Sequence, residues 1–119
     1  MKKEKIDIKY MGVPNICFSL TAEDDKREEE FSKQRIENGF DDSETWSLRD
    51  TIANFIIPRL KRYKEVSAMD IDEKRIDKML RAFELVVRDD GQFILTDDEM
   101  KEYDKGIKIF KQDFLSLWW

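Results

Sequence analysis

Trp46 to Lys64 reads WSLRDTIANFIIPRLKRYK, and this stretch decides the fold. Leu48, Ile52, Phe55, Ile56, Leu60 and Tyr63 recur three and four residues apart, which on an α-helix gathers them into one stripe. Such a stripe is expected to face a core. Ser47, with Asp50 three residues on, has the spacing of an N-cap: the hydroxyl takes an unpaired backbone N–H and the carboxylate reaches back. Pro58 interrupts the pattern, because it removes one backbone donor and crowds the carbonyl of Asn54, at about 3 kcal/mol in a helix interior. The expectation is a kink, tolerated because tertiary packing fixes both halves.

The segments on either side suit a bundle built on that helix. Thr21, followed by Glu23, Asp24 and Asp25, predicts a helix over about 22–38, since acidic residues oppose the positive end of a helix. Its apolar stripe is thin, with Ala22, Phe31 and Ile36 the main residues, so charged pairs such as Glu29 with Lys33 are expected to help hold it. Asn38 and Gly39 make a C-terminal stop, and Asp41 to Glu44 read as a short polar loop. The central helix is predicted over 48–65. Asp70 with Glu73 repeats the capping spacing for a helix over 71–88 whose face carries Ile76, Met79, Leu80, Phe83, Val86 and Val87. Thr96 with Glu99 opens a last helix over 97–118 with Met100, Tyr103, Ile107, Phe110, Phe114 and Leu117, where Gly106 would let another helix approach closely. Connections this short favour antiparallel neighbours. In residues 1–20, Ile6, Ile8 and Tyr10 alternate with polar residues, and Ile16 to Leu20 could return as a second strand after the Gly12, Pro14, Asn15 turn.

Composition narrows the function. The chain has 119 residues, enough for one core, with 41% charged and 40% apolar residues. Net charge is −5 and histidine is absent, which excludes histidine catalysis and histidine metal sites and disfavours nucleic-acid binding without a local basic patch. The single Cys17, between Ile16 and Phe18, suits packing rather than reactivity. No signal peptide and no membrane-length apolar run is read in the sequence, so the expectation is a cytoplasmic protein without membrane partners.

Each chemical constellation has a plain structural reading beside the functional one. The acidic groups Asp41–Glu44, Asp70–Glu73, Asp89–Asp90 and Asp97–Glu99 carry oxygen ligands for a hard cation, but they stand where helices begin or end, and capping accounts for most of them. No metal, cofactor or catalytic residue is therefore assigned. Arg59, Lys61, Arg62 and Lys64 form a basic run, and Lys74, Arg75, Lys78 and Arg81 a second; on antiparallel helices they would either merge into one patch or be balanced by nearby carboxylates. Trp46, beside a cap, is expected to bury its ring against the core. Trp118 and Trp119 point about 100° apart on a helix, so one would close the core and the other stay exposed as a contact. The candidate interaction residues are Trp46, Arg59, Arg62, Trp118 and Trp119.

The run Asn38-Gly39-Phe40-Asp41-Asp42-Ser43-Glu44-Thr45-Trp46-Ser47-Leu48, then Thr51-Ile52-Ala53 and Phe55-Ile56-Ile57-Pro58-Arg59-Leu60-Lys61, resembles the signature of a family of small, uncharacterised tailed-bacteriophage proteins, W-S-L-x-x-T-I-A-x-F-I-x-P-R-L-K. Met79 to Glu84 resembles the helix that in this family ends in Ala-Phe-Glu. Tyr103, Gly106, Ile107, Phe110, Phe114, Leu115 and Trp118 resemble its terminal G-[LI]-x-[LI]-F and F-x-x-L-W patterns. The resemblance covers roughly residues 29 to 118, with Arg49 standing where the family pattern has an acid. It implies a mainly helical phage gene product expressed in a bacterial host, and it carries no activity or functional residue.

The sequence thus predicts a mainly α, single-domain antiparallel helical bundle spanning 21–119 as one fold unit, preceded by an extended segment or small β-hairpin in 1–20. The expected function is non-enzymatic binding of a host or phage protein in the cytoplasm of the infected host, for takeover, anti-defence or an accessory role, with self-association as a further expectation. The alternatives are a carboxylate-metal-dependent hydrolase or nuclease, and a nucleic-acid-binding or nucleic-acid-mimic protein.

Overall fold

The computed structural model describes residues 19–20, 24–67, 71–88 and 94–118, and among these the fold is helical with no strand. Helix α1 spans Glu28–Asn38, a 3₁₀ turn follows at Asp42–Thr45, and then come α2 (Leu48–Val66), α3 (Glu73–Val87), α4 (Asp97–Asp113) and a closing 3₁₀ turn at Phe114–Ser116. The chain divides into two compact units, Met1–Ile52 and Ala53–Trp119, with the division inside α2. The expected hairpin and Cys17 lie outside the described residues, as do Ala22, Asp70 and Trp119.

Three helix starts differ from expectation for local reasons. Residue 28, rather than about 22, opens α1, because the Asp25 carboxylate bonds the Arg27 backbone N–H (2.8 Å) and guanidinium and the Asp25 carbonyl accepts from Glu28 N–H (3.0 Å), building a turn instead. At α2, the Ser47 hydroxyl bonds the Asp50 carboxylate directly (2.9 Å) rather than a backbone N–H. At α3 the cap is Asp72, whose carboxylate accepts from the N–H groups of Lys74 and Arg75, two residues beyond the predicted cap. The Thr96–Glu99 capping box of α4 forms as the spacing predicts.

In the second unit Ala53, Leu60, Ile76, Met79, Leu80, Phe83 and Ile109 form the buried core, flanked by Ile56, Ile57, Tyr63, Val86, Ile107, Phe110 and Leu117. Its helices run antiparallel, as their ion pairs register. Lys64 meets Asp77 (2.6 Å) and Lys61 meets Glu84 (3.7 Å) between α2 and α3. Between α3 and α4, Arg75 clasps Asp113 through two nitrogens (2.7 and 2.9 Å), Arg81 clasps Glu102, and Arg88 binds Glu99. Bidentate guanidinium–carboxylate pairs of this kind fix orientation as well as position.

The central stripe is only half used. Burial on α2 follows Ala53 and Leu60, two turns apart in line, with Ile56, Ile57 and Tyr63 partly covered. Leu48, Ile52 and Phe55 remain 54%, 51% and 44% exposed, which corrects the expectation that the whole stripe faces a core. Six residues at those spacings spread over roughly 140° of helix, wider than one packing face, so one edge stays in water. The helix runs unbroken through Pro58. Beside the lost donor, the Arg59 guanidinium donates to the Phe55 carbonyl at 2.8 Å, giving backbone loosened by the ring a side-chain partner.

Gly106 meets the expectation of close approach. A Cβ there would stand 2.6 Å from Ala82 Cβ and closer still to the Lys78 carbonyl oxygen, so α3 and α4 touch backbone to backbone at this point. Gly106→Ala is expected to lower stability by roughly 1–2 kcal/mol. The forced separation costs about 1–3 kcal/mol and outweighs a helix-propensity gain of up to about 1 kcal/mol, because a backbone carbonyl cannot rotate away. Urea unfolding measures this, and an unchanged midpoint would show that the helices part freely.

Candidate interaction surface

In the first unit the organising group is a buried cation. α1 buries only one large apolar side chain, Phe31, while Ile36 is exposed and Ser32 and Arg35 point inward. Arg35 is 7% exposed and Asp41 fully buried. The Arg35 guanidinium donates to Asp41 Oδ2 (2.5 Å), to the Glu28 carboxylate and to Ser19 Oγ (3.2 Å). Asp41 Oδ1 accepts from the N–H and the hydroxyl of Ser43 (2.8 and 2.5 Å), and Ser43 Oγ accepts in turn from Leu20 N–H (2.8 Å). Glu44 Oε2 accepts from Asp41 N–H (2.8 Å), closing a reciprocal capping box around the 3₁₀ turn. Gln34 adds a two-way bridge to Asp42 at 2.8 and 3.0 Å. Burial pulls the Arg35 guanidinium down, but the Glu28 and Asp41 carboxylates outweigh it and hold the group above its ordinary value. Burial likewise pushes Asp41 up, and hydrogen bonds from Ser19, Ser43 and Arg35 outweigh it, leaving the carboxyl below its usual range.

Trp46 stands at the edge of this clasp. Its ring meets Phe31 edge-on (6.0 Å between centroids) and lies 4.8 Å beneath the Arg27 guanidinium carbon. Arg27 is itself held by Asp25 at 2.9 and 3.0 Å, and that bonding takes the Asp25 carboxyl down to about 2. Trp46 is nonetheless 50% exposed, which corrects the expectation of a ring buried in the core. It sits in the turn ahead of α2, where Phe31 and Arg27 cover it only in part.

Comparison of the chain with protein-family models, curated proteins and solved structures finds no match.

The other candidate residues are spread over the second unit. Arg59 is exposed, with its guanidinium carbon 3.8 Å over the Phe55 ring centroid. Arg62 is exposed and 3.2 Å from Glu65. The two basic series do not merge into a free patch, because Lys61, Lys64, Arg75 and Arg81 are engaged by Glu84, Asp77, Asp113 and Glu102. Trp118 is exposed, its carbonyl accepting from the Tyr63 hydroxyl (3.3 Å), and Leu117 is the residue that turns inward at this end. The last α-helix stops at Asp113, short of the predicted 118, where the chain tightens into the 3₁₀ turn and Arg75 holds the Asp113 carboxylate. Among the described residues, no group of three or more carboxylates or thiols is placed to hold a metal ion, and no helix is long and apolar enough to cross a membrane.

The clasp is what sequence reasoning missed. Asp41 and Glu44 have capping-box spacing, a visible signal, but no apolar run follows closely enough to mark a helix, and the spacing says nothing of Arg35. A depressed carboxylate contributes stability that is fully present above its unfolded pKa, about 4, and is lost as pH falls through the lower folded value. The raised Arg35 contributes throughout that window and loses its share only at extreme alkaline pH, so the clasp weakens on the acid side alone. With Trp118→Phe and Trp119→Phe leaving Trp46 as the lone tryptophan, its emission is expected to shift red as pH drops below about 4. Asp41→Asn is expected to cost about 3 kcal/mol at pH 7, as removal of one partner from a buried ion pair does, and to flatten the acid dependence. An emission maximum constant from pH 7 to pH 2 would contradict this.

Proposed function

We propose that this chain is a small non-enzymatic tailed-bacteriophage protein that binds a host or phage protein in the cytoplasm of the infected bacterium, in host takeover, anti-defence or an accessory role. The phage context follows from the sequence resemblance. The observation that carries the binding reading is the set of large apolar side chains left about half exposed or more, including Trp46, Leu48, Ile52, Phe55 and Trp118. Tryptophan and arginine anchors on rigid supports are the residues that dominate protein interfaces, and Trp46 with Arg27 and Phe55 with Arg59 form two such supported pairs.

Tagged protein recovered from infected cells is expected to carry one dominant partner, identified by mass spectrometry. A Trp46→Ala, Trp118→Ala chain whose circular dichroism is unchanged is expected to lose it. Recovery of the bait alone, or of a partner retained by the double variant, would count against these anchors.

A further inference from the structure

The face that α3 and α4 turn away from the core carries cations that the fold leaves unneutralised. Arg75 and Arg81 cross the seam between the two helices to Asp113 and Glu102, so these four charges cancel in pairs. Lys74 and Lys78 stand one turn apart on α3, and Lys101, Lys105 and Lys108 follow at spacings of four and three on α4. All five lysines are exposed, and none has an ion-pair partner among the described residues. Lys78 marks the closest approach of the helices, its carbonyl standing against Gly106. Lys101 and Lys105 precede the seam residues Glu102 and Gly106 by one position, a turn of about 100° out of the seam and away from the half-buried Tyr103 and Ile107. Helices in contact lie about 8–10 Å apart and each residue rises about 1.5 Å, so the lysines occupy a patch on the order of 10–15 Å across.

Resting on the protein-binding reading above, we infer that this α3–α4 face docks a compact cluster of Asp and Glu side chains on a protein partner, with Lys78 and Lys105 at its centre. The boundary of the patch decides between occupants. Asp97 and Asp98 open α4, and Asp72 and Glu73 stand at the start of α3, so antiparallel packing sets exposed carboxylates at both ends; Asp104 adds one on α4. A nucleic-acid backbone laid along the helices would carry its charge past both ends and meet those acids, whereas a cluster of carboxylates about 10 Å wide stays within the lysines. The guanidiniums that would fork onto phosphates, Arg75, Arg81 and Arg88, are held by Asp113, Glu102 and Glu99, and among the described residues of α3 and α4 no exposed aromatic ring offers stacking for a base. A second copy presenting the same face would set lysine against lysine.

The test selects a random-peptide display library on the immobilised full-length chain. Enriched peptides are expected to carry clustered Asp and Glu. A synthetic peptide of the leading sequence should bind at least tenfold more weakly to a Lys78→Glu, Lys105→Glu chain, and likewise to Lys74→Glu, Lys101→Glu. It should bind a Lys26→Glu, Lys33→Glu chain within twofold of the original; that control reverses two exposed lysines elsewhere and changes net charge equally. Circular dichroism checks that each variant folds, and the two pairs on the face keep the test decisive if one does not. Selection without acidic bias, or equal loss in the control, overturns the assignment. So does a DNA or RNA duplex that binds more tightly than the peptide and is lost with Lys78→Glu, Lys105→Glu, which would give the face to nucleic acid. A dimer in sedimentation velocity that the same pair dissolves would give it to a second copy. A cellular partner still captured by Lys78→Glu, Lys105→Glu refutes this face while leaving the protein-binding reading intact.

Discussion

A guanidinium withdrawn from water needs carboxylates and hydroxyls around it, and the described residues up to Ile52 are ordered by that need. Transfer of such an ion to a low-dielectric site costs several kcal/mol even after relaxation, which unpaired burial could not sustain. Arg35 therefore gathers Glu28 from the start of its own helix, Asp41 from the following turn, and Ser19 from the chain preceding both. Each partner is then committed elsewhere: Asp41 to Ser43, Ser43 to Leu20, and Glu44 back to Asp41. The Glu44 carbonyl passes the order onward by accepting the Thr51 hydroxyl (2.7 Å) from the first turns of α2. A hydrophobic set of the same volume would supply comparable stability with less directional demand. The polar version specifies which atoms meet, and so fixes the turn on which Trp46 is carried.

The second unit solves the opposite problem. Its core is apolar, with Met79 and Ala82 fully enclosed, and the limiting contact is steric: α4 lies against α3 only because residue 106 lacks a side chain. Charge here works at the margin of the core. Arg75 and Arg81 each reach across to an acid on α4, and pairs this open to solvent contribute little individually, while Arg88 reaches the more covered Glu99. Their effect is on register, since two planar groups meeting through two bonds tolerate little sliding. Hydrogen bonding to Arg75 holds Asp113 below the usual carboxylate range against a small opposing effect of burial, and the Thr96 backbone together with Arg88 does the same for Glu99.

What was legible in the sequence follows from the range over which each signal acts. Caps are local, so Thr96–Glu99 could be placed to the residue, whereas Asp70 and Asp72 both precede Glu73 closely and only the backbone path chooses between them. Gly106 was legible because a glycine inside a strongly periodic helix costs propensity and needs a packing reason. α1 was placed with the right end and the wrong start: Gly39 adopts the left-handed conformation that stops it, at φ +84°, while Asp25 prefers its own neighbour Arg27 to a helical turn. The clasp could not be read, because Ser19, Arg35 and Asp41 meet through the folded chain and no periodicity links them. The basic series were legible as residues, but their carboxylate partners on α3 and α4 were not.

The stripe of α2 marks the limit of periodicity as a guide. Spacing reports how wide an apolar face is, and not which edge of it another helix will take. Ala53, which no stripe count would emphasise, lets the neighbouring side chains close in; the buried line passes through it and Leu60, and the bulkier Leu48, Ile52 and Phe55 are left at the rim. Leaving three large side chains about half exposed forgoes about half of the ~1.5–3 kcal/mol that full burial of each would gain, still a noticeable share of a small domain's net stability. A helix that already accommodates Pro58 keeps that apolar edge directly ahead of Arg59 and Arg62.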